Sequence, residues 1–253
     1  MIKFFRKIRQ NLLMENKTGK YLKYAIGEIV LVVIGILIAL QINTWNEERK
    51  TNMVRLGLLE NLKEEFLYNK TELDRVMKLN QSNALSALEI TKIVHPQEII
   101  IDEEQCGRLI RKSLIAEVQY RPSSGALAEI LSAGQLSIFE SDQLKIALAS
   151  WDGAMTKIRF QEQEHQNFRL KALDMVHEKG NMQRIYFEQF KGITELKNSH
   201  FENSNLELFK RIEFENLMSS FYMTAVFLND PYYGDLLERI EEILMLIDTE
   251  ISK

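Results

Sequence analysis

From Tyr24 to Ile42 the chain runs nineteen residues with Glu28 and Gln41 as its only polar members, and Ile29 to Leu40 carries no polar side chain at all. No other feature constrains the fold as strongly. As a helix these residues extend about 28 Å at 1.5 Å per residue, close to the roughly 30 Å of a bilayer's hydrocarbon layer. Tyr24 and Trp45 stand at the two ends, where amphipathic rings favour the boundary between water and lipid. A buried core helix would show a polar face, and Ile29 to Leu40 has none. A cleaved signal peptide would have a shorter apolar core followed by a small-x-small site, which QINTWNEERK does not offer. The expectation is a transmembrane helix over residues 24–43.

Charge gives the expected orientation. Residues 1–23 hold Lys3, Arg6, Lys7, Arg9, Lys17, Lys20 and Lys23 against the single acid Glu15, whereas the whole chain has a net charge of −4. Just beyond the span, Glu47 and Glu48 offset Arg49 and Lys50. The positive-inside rule then keeps the N-terminus cytoplasmic and exports everything after about residue 44. MIKFFRKIRQNL interleaves Ile2, Phe4, Phe5, Ile8 and Leu12 with cations, the pattern of a short amphipathic helix on an anionic lipid surface. The long remainder is acidic, which excludes nucleic-acid binding by phosphate neutralisation as the work of the main domain.

A carboxylate inside the span needs an account. Glu28 lies one turn inside on the cytoplasmic side, where it can snorkel to the headgroups or take a proton, with Lys20 and Lys23 nearby. A second reading starts from helical spacing: Glu28, Gly35 and Ala39 are seven and four residues apart and share one stripe. Gly35 and Ala39 form a small-xxx-small pair that lets helices approach closely, and Glu28 on the same stripe would reach a helix contact or handle protons.

The N-terminal block MIKFFRKIRQNLL followed by GKYLKYAIGEIVLVVIGILIALQINTWNE resembles the opening of an uncharacterised family of single-span membrane proteins widespread in Bacteroidota. The likeness is fainter around SSGALAEILSAGQLSIF and SDQLKIALASWDGA. The resemblance implies a bacterial envelope setting, with the anchor in the inner membrane and residues 44–253 in the periplasm. It implies no activity and no catalytic residue.

Eleven Gly and three Pro leave few backbone breaks, so the exported part is expected to be all-α, an irregular antiparallel helical bundle behind one N-terminal transmembrane helix. The division is then a basic cytoplasmic segment (1–23), the span (24–43) and an exported helical domain (44–253). Leu59, Leu62, Phe66, Leu73 and Val76 keep 3–4 spacing, interrupted by Asn69, on a helix that His95-Pro96 ends. Asp102 caps a short helix with Cys106, Leu109, Ile110 and Leu114 inward; Ser123 or Ser124 caps the next, and Gly134 stops it. Ser141-Asp142 opens a helix to about His177, and a less regular region follows. Two last helices, from Leu206 and after Asn229-Asp230-Pro231, are expected to fold back as an antiparallel hairpin. Only 99-IIID-102 hints at a strand.

The chain offers little chemistry. Cys106 is single, so no internal disulfide can form. Glu162-x-x-His165 and Asp174-x-x-His177 have the spacing of di-iron bundles, yet both fall on one helix about 18 Å apart and cannot share a metal within one subunit. P-loop, GxSxG, HExxH and CxxC motifs are absent, and the remaining acids read as solvated helix faces. No catalytic residue, cofactor or metal ligand is therefore assigned. The leading expectation is a membrane-anchored, non-enzymatic scaffold or partner-binding protein whose periplasmic helical domain contacts itself or another envelope protein. One alternative is a single-span subunit of a proton-driven stator-like complex using Glu28. Another is an envelope enzyme with an unrecognised site.

Overall fold

The computed structural model describes the backbone of residues 18–253 and the side chains of residues 22, 23 and 25–253. The amphipathic helix expected over the first dozen residues lies outside the described residues, as do the side chains of Lys20 and Tyr24. The chain divides at Gly57/Leu58 into two compact units. Among the described residues the fold is all-α, with no strand beyond an isolated bridge between Lys191 and Thr194. The 99-IIID-102 stretch is coil, because no neighbouring strand supplies the ladder that extended residues need.

Helix α1, Thr18–Ile93, contributes to both units. It contains no proline, and its sequence is dominated by good helix formers. In the first unit, residues 29–54 are exposed on every side. From Leu58 onward one face turns inward: Leu59, Leu62, Phe66, Leu73, Val76, Ala87 and Ile90 are buried at the expected 3–4 spacing. The helix ends ahead of His95-Pro96, where the His95 ring Nδ1 accepts the Gln97 and Glu98 N–H groups.

Seven further α-helices complete the second unit: α2 (Glu103–Ile110), α3 (Gly125–Ser132), α4 (Asp142–Ala149), α5 (Trp151–Lys179), α6 (Met182–Gln189), α7 (Ile212–Phe227) and α8 (Gly234–Ile251). Asp102 caps α2 through the Gln105 N–H at 2.8 Å, and Cys106, Leu109, Ile110 and Leu114 face inward as expected. Gly134 follows α3 in the left-handed region at φ +65°, where its lack of Cβ removes the steric cost. At Gly180, after α5, an added Cβ would come within 2.7 Å of Asn205 Oδ1 and 2.8 Å of the Val176 carbonyl, so close packing excludes a side chain.

Three expectations need correction. The helix opened by Ser141 does not run unbroken to His177: it pauses at Ser150 (φ −89°, ψ 0°), which separates α4 from α5. The less regular region after Gly180 includes α6, capped by the Asn181 side chain on the Arg184 N–H. The closing helices are not a hairpin. Between α7 and α8 the backbone remains right-handed helical through a π turn, Leu228–Tyr233, which accommodates Pro231. The wider turn absorbs the missing N–H that would otherwise break the ladder. The opened backbone is served from α1: Asn80 donates to the Ala225 carbonyl and to Asn229 Oδ1, both at 2.8 Å, and Asn229 donates to the Met77 carbonyl at 3.1 Å.

The result is a bundle of three long elements: the later part of α1, α5, and the α7–α8 rod. Lys63 pairs with Asp248, Lys70 with Glu241 and Asn80 with Asn229, so the rod runs antiparallel to α1. Glu162 meets Tyr233 and His165 meets Thr224, so it is antiparallel to α5 as well. Two apolar cores stack along the bundle. One gathers Leu59 to Val76, Leu144, Trp151 and Ile240; the other gathers Ile90, Ile110, Val176, Phe214 and Phe221.

Candidate functional site

Glu28, Gly35 and Ala39 all lie in α1, on one stripe by helical spacing. Glu28 is half-buried, whereas Gly35 and Ala39 are exposed, and a Cβ at Gly35 would meet nothing within 4 Å. The helix contains a stretch long and apolar enough to cross a membrane, and none of that stretch is buried.

The second unit brings together a set of polar residues that the sequence leaves scattered. At its centre is Glu162 of α5, almost fully buried. Its Oε1 accepts the Tyr120 backbone N–H and the Tyr233 hydroxyl, each at 2.7 Å, and its Oε2 accepts Arg159 Nη1 at 2.7 Å. Arg159 Nη1 also donates to the Tyr120 carbonyl, so one guanidinium and one carboxylate clamp both backbone groups of Tyr120. The Tyr120 hydroxyl donates to the Asn69 carbonyl, while the Asn69 side chain accepts from the Ser123 N–H at 2.7 Å and donates to the Ser123 carbonyl at 2.8 Å. The loop EVQYRPSSG is thereby strapped to α1, α5 and the π turn. Burial, reinforced by the adjacent Glu162 carboxylate, pushes the Tyr233 phenol up, so Tyr233 stays a proton donor to it.

Beside this strap lies a cleft of about 180 Å³, lined by Glu117, Val118 and Gln119 of the loop and by Arg159, Glu162, Gln163 and Gln166 of α5. The Glu162-x-x-His165 spacing does not form a metal pair, because the two side chains address different partners. His165 is buried against α7, stacked on Phe221 at 4.4 Å with Nδ1 3.0 Å from Thr224 Oγ1. The Thr224 hydroxyl hydrogen is engaged by the Ser220 and Phe221 carbonyls, so Nδ1 is the protonated nitrogen and donates to Oγ1. Nε2 is then a buried lone pair without a partner, and burial lowers the His165 pKa to about 4. Asp174 and His177 are exposed on α5. Among the described residues no group of three His, Cys, Asp or Glu side chains could hold a metal ion. Cys106 is fully buried and its thiol is pushed up by desolvation.

Sequence reasoning missed the buried acids. Glu65 accepts the Ala126 and Leu127 N–H groups at 2.7 and 3.2 Å, and so caps α3 from a distant helix. Ser124 holds the N-cap position but makes no side-chain cap bond. Glu250 likewise accepts the Glu140 and Ser141 N–H groups ahead of α4. A signal was present: Glu162 falls at inward spacing with Met155, Ile158 and His165, and Glu250 with Ile243, Leu246 and Ile247. An acid on an apolar face calls for internal donors.

These features define an all-helical unit with internally strapped loops, on a chain that also carries an exposed apolar helical stretch. The chain belongs to the family of unknown function DUF6090, whose model matches residues 28–167. That region begins at Glu28 and takes in the strapped loop, Arg159, Glu162 and Gln166, whereas Thr224 and Tyr233 lie beyond it. No curated protein and no solved structure matches the chain.

Proposed function

We propose that the protein is a single-pass protein of the bacterial inner membrane, with its N-terminus cytoplasmic and residues 44–253 in the periplasm. The helical unit acts as a non-enzymatic module that binds a second copy or another envelope protein. The observation that carries this reading is the stretch around Ile29–Leu40, exposed on every side with side chains such as Leu31 and Leu37 near 60% accessible. Apolar surface of that extent is costly in water and suited to lipid. The basic N-terminal segment supports the orientation. The outer face of α7 supports a protein contact, since it leaves Met223 and Phe227 exposed beyond the buried Phe214, Met218 and Phe221.

The test is a pair of fusions to the C-terminus of the full chain. Alkaline phosphatase should be active and green fluorescent protein dark, with the protein retained in membranes after alkaline washing. A fluorescent fusion, or release of the chain by the wash, would overturn the reading.

A further inference from the structure

The cleft beside Glu162 is lined by donors whose direction is set by arginines. Arg121 donates from Nε and Nη2 to Gln119 Oε1, at 3.0 and 2.8 Å, and Arg169 donates from Nη1 to Gln166 Oε1 at 3.2 Å. Arginine has no acceptor, so both amide carbonyls must face the guanidinium groups, which leaves each Nε2 amide as a donor without a protein acceptor. Arg159 spends only Nη1 on Glu162 and the Tyr120 carbonyl. Its Nε–H and Nη2–H edge, the fork that matches a carboxylate, makes no bond within the protein, and the side chain is 41% exposed. The two acids at the cleft are already answered: Glu117 takes Arg121 at 3.2 Å, and Glu162 takes Arg159, Tyr120 and Tyr233. Arg159 is thus the one cation of the lining, beside two carboxylates that already have partners, while Arg121 and Arg169 act from outside the lining through the two glutamine side chains.

We infer that this cleft binds a carboxylate, held on the free edge of Arg159 and by the Gln119 and Gln166 amides. Its small size suits a terminal group or a small acid rather than a larger ligand. Two sources present that chemistry, the C-terminal carboxylate of a peptide and a free small carboxylic acid. The inference goes beyond the membrane reading and does not depend on it.

The test uses the full chain in non-ionic detergent, titrated calorimetrically with N-acetyl-alanyl-alanine, its C-terminal amide, and propionate. The acid should bind saturably, with the amide at least about ten-fold weaker, equivalent to roughly 1.4 kcal/mol. Gln119→Glu and Gln166→Glu should each weaken the acid at least about ten-fold, since each replaces a donor by a negative charge. Both variants keep an acceptor for Arg121 or Arg169, so their unfolding temperatures should match the parent's. Propionate binding as well as the dipeptide acid points to a free small acid; propionate failing points to a chain end, and either result supports the carboxylate site. Equal binding of acid and amide, parent-like binding by both variants, or no saturable binding of any carboxylate would overturn it.

Discussion

Two stretches of α1 share one backbone geometry and differ in what surrounds them. Residues 29–54 are exposed all round, and the first twelve of these are apolar on every side. From Leu58 to Ile90 the helix buries one face, with successive buried residues never more than four apart. The secondary structure alone cannot distinguish them. The difference lies in the angular distribution of apolar side chains, which tells a helix built to pack against protein from one that is exposed all round among the described residues.

Reciprocal substitutions put this contrast under the largest load. Phe66 is fully buried and meets Trp151 edge-on at 5.0 Å. Phe66→Ala should lower stability by about 3–5 kcal/mol, read as a lower unfolding temperature in detergent, while leaving membrane retention intact. Leu37→Arg should do the opposite: an insertion cost of about 3 kcal/mol and release by alkaline washing, with an unchanged unfolding temperature. If Leu37→Arg melts the helical unit as Phe66→Ala does, the apolar stretch is a core element and the contrast fails.

A smaller effect separates the second unit by pH. His165 is buried with Nε2 unpartnered and a folded pKa lowered to about 4, so the unfolded chain binds the proton more readily. Stability from this group is full above the ordinary histidine range and falls as pH drops from about 6.5 towards 4, by up to about 3 kcal/mol. Chemical unfolding at steps across that window should show the slope, and His165→Leu should flatten it. An equally steep slope in the variant would assign the acid sensitivity elsewhere. Membrane retention should not follow the same titration.

The smallest test concerns two serines that read alike in the sequence. Ser141 accepts the Leu144 N–H at 3.2 Å and caps α4. Ser124 precedes α3 without a cap bond, because Glu65 occupies those donors. Ser141→Ala should cost about 1 kcal/mol and Ser124→Ala close to nothing, with denaturant titration as the measurement. Equal losses would mean that the Glu65 cap does not replace the local one.

Much of the fold was legible because it depends on local rules. Asp102 and Ser141 cap neighbours three residues away, Gly134 relieves a left-handed turn, and the 3–4 spacing from Leu59 to Val76 marks a buried face. Pro231 was misread for the same reason: local rules make Asn-Asp-Pro a break, and only Asn80, 149 residues away from Asn229 in the chain, offers the donors that sustain the π turn. The cleft was invisible because its parts are ordinary surface residue types, Gln119 on a loop and Arg159 and Gln166 about two turns apart on α5, a distant stretch of the chain.

By itself, then, the sequence determined an apolar stretch without a polar face, an all-helical remainder and the positions of most helix ends, since each follows from residues within a few turns of one another. The tertiary structure alone decided which donors answer the buried acids. Glu65, Glu162 and Glu250 differ from solvated glutamates in the donors brought to them across the bundle, backbone N–H groups at all three and the Tyr233 hydroxyl as well at Glu162. A carboxylate enters a core when distant donors replace its water, and that replacement exists only once the chain has folded.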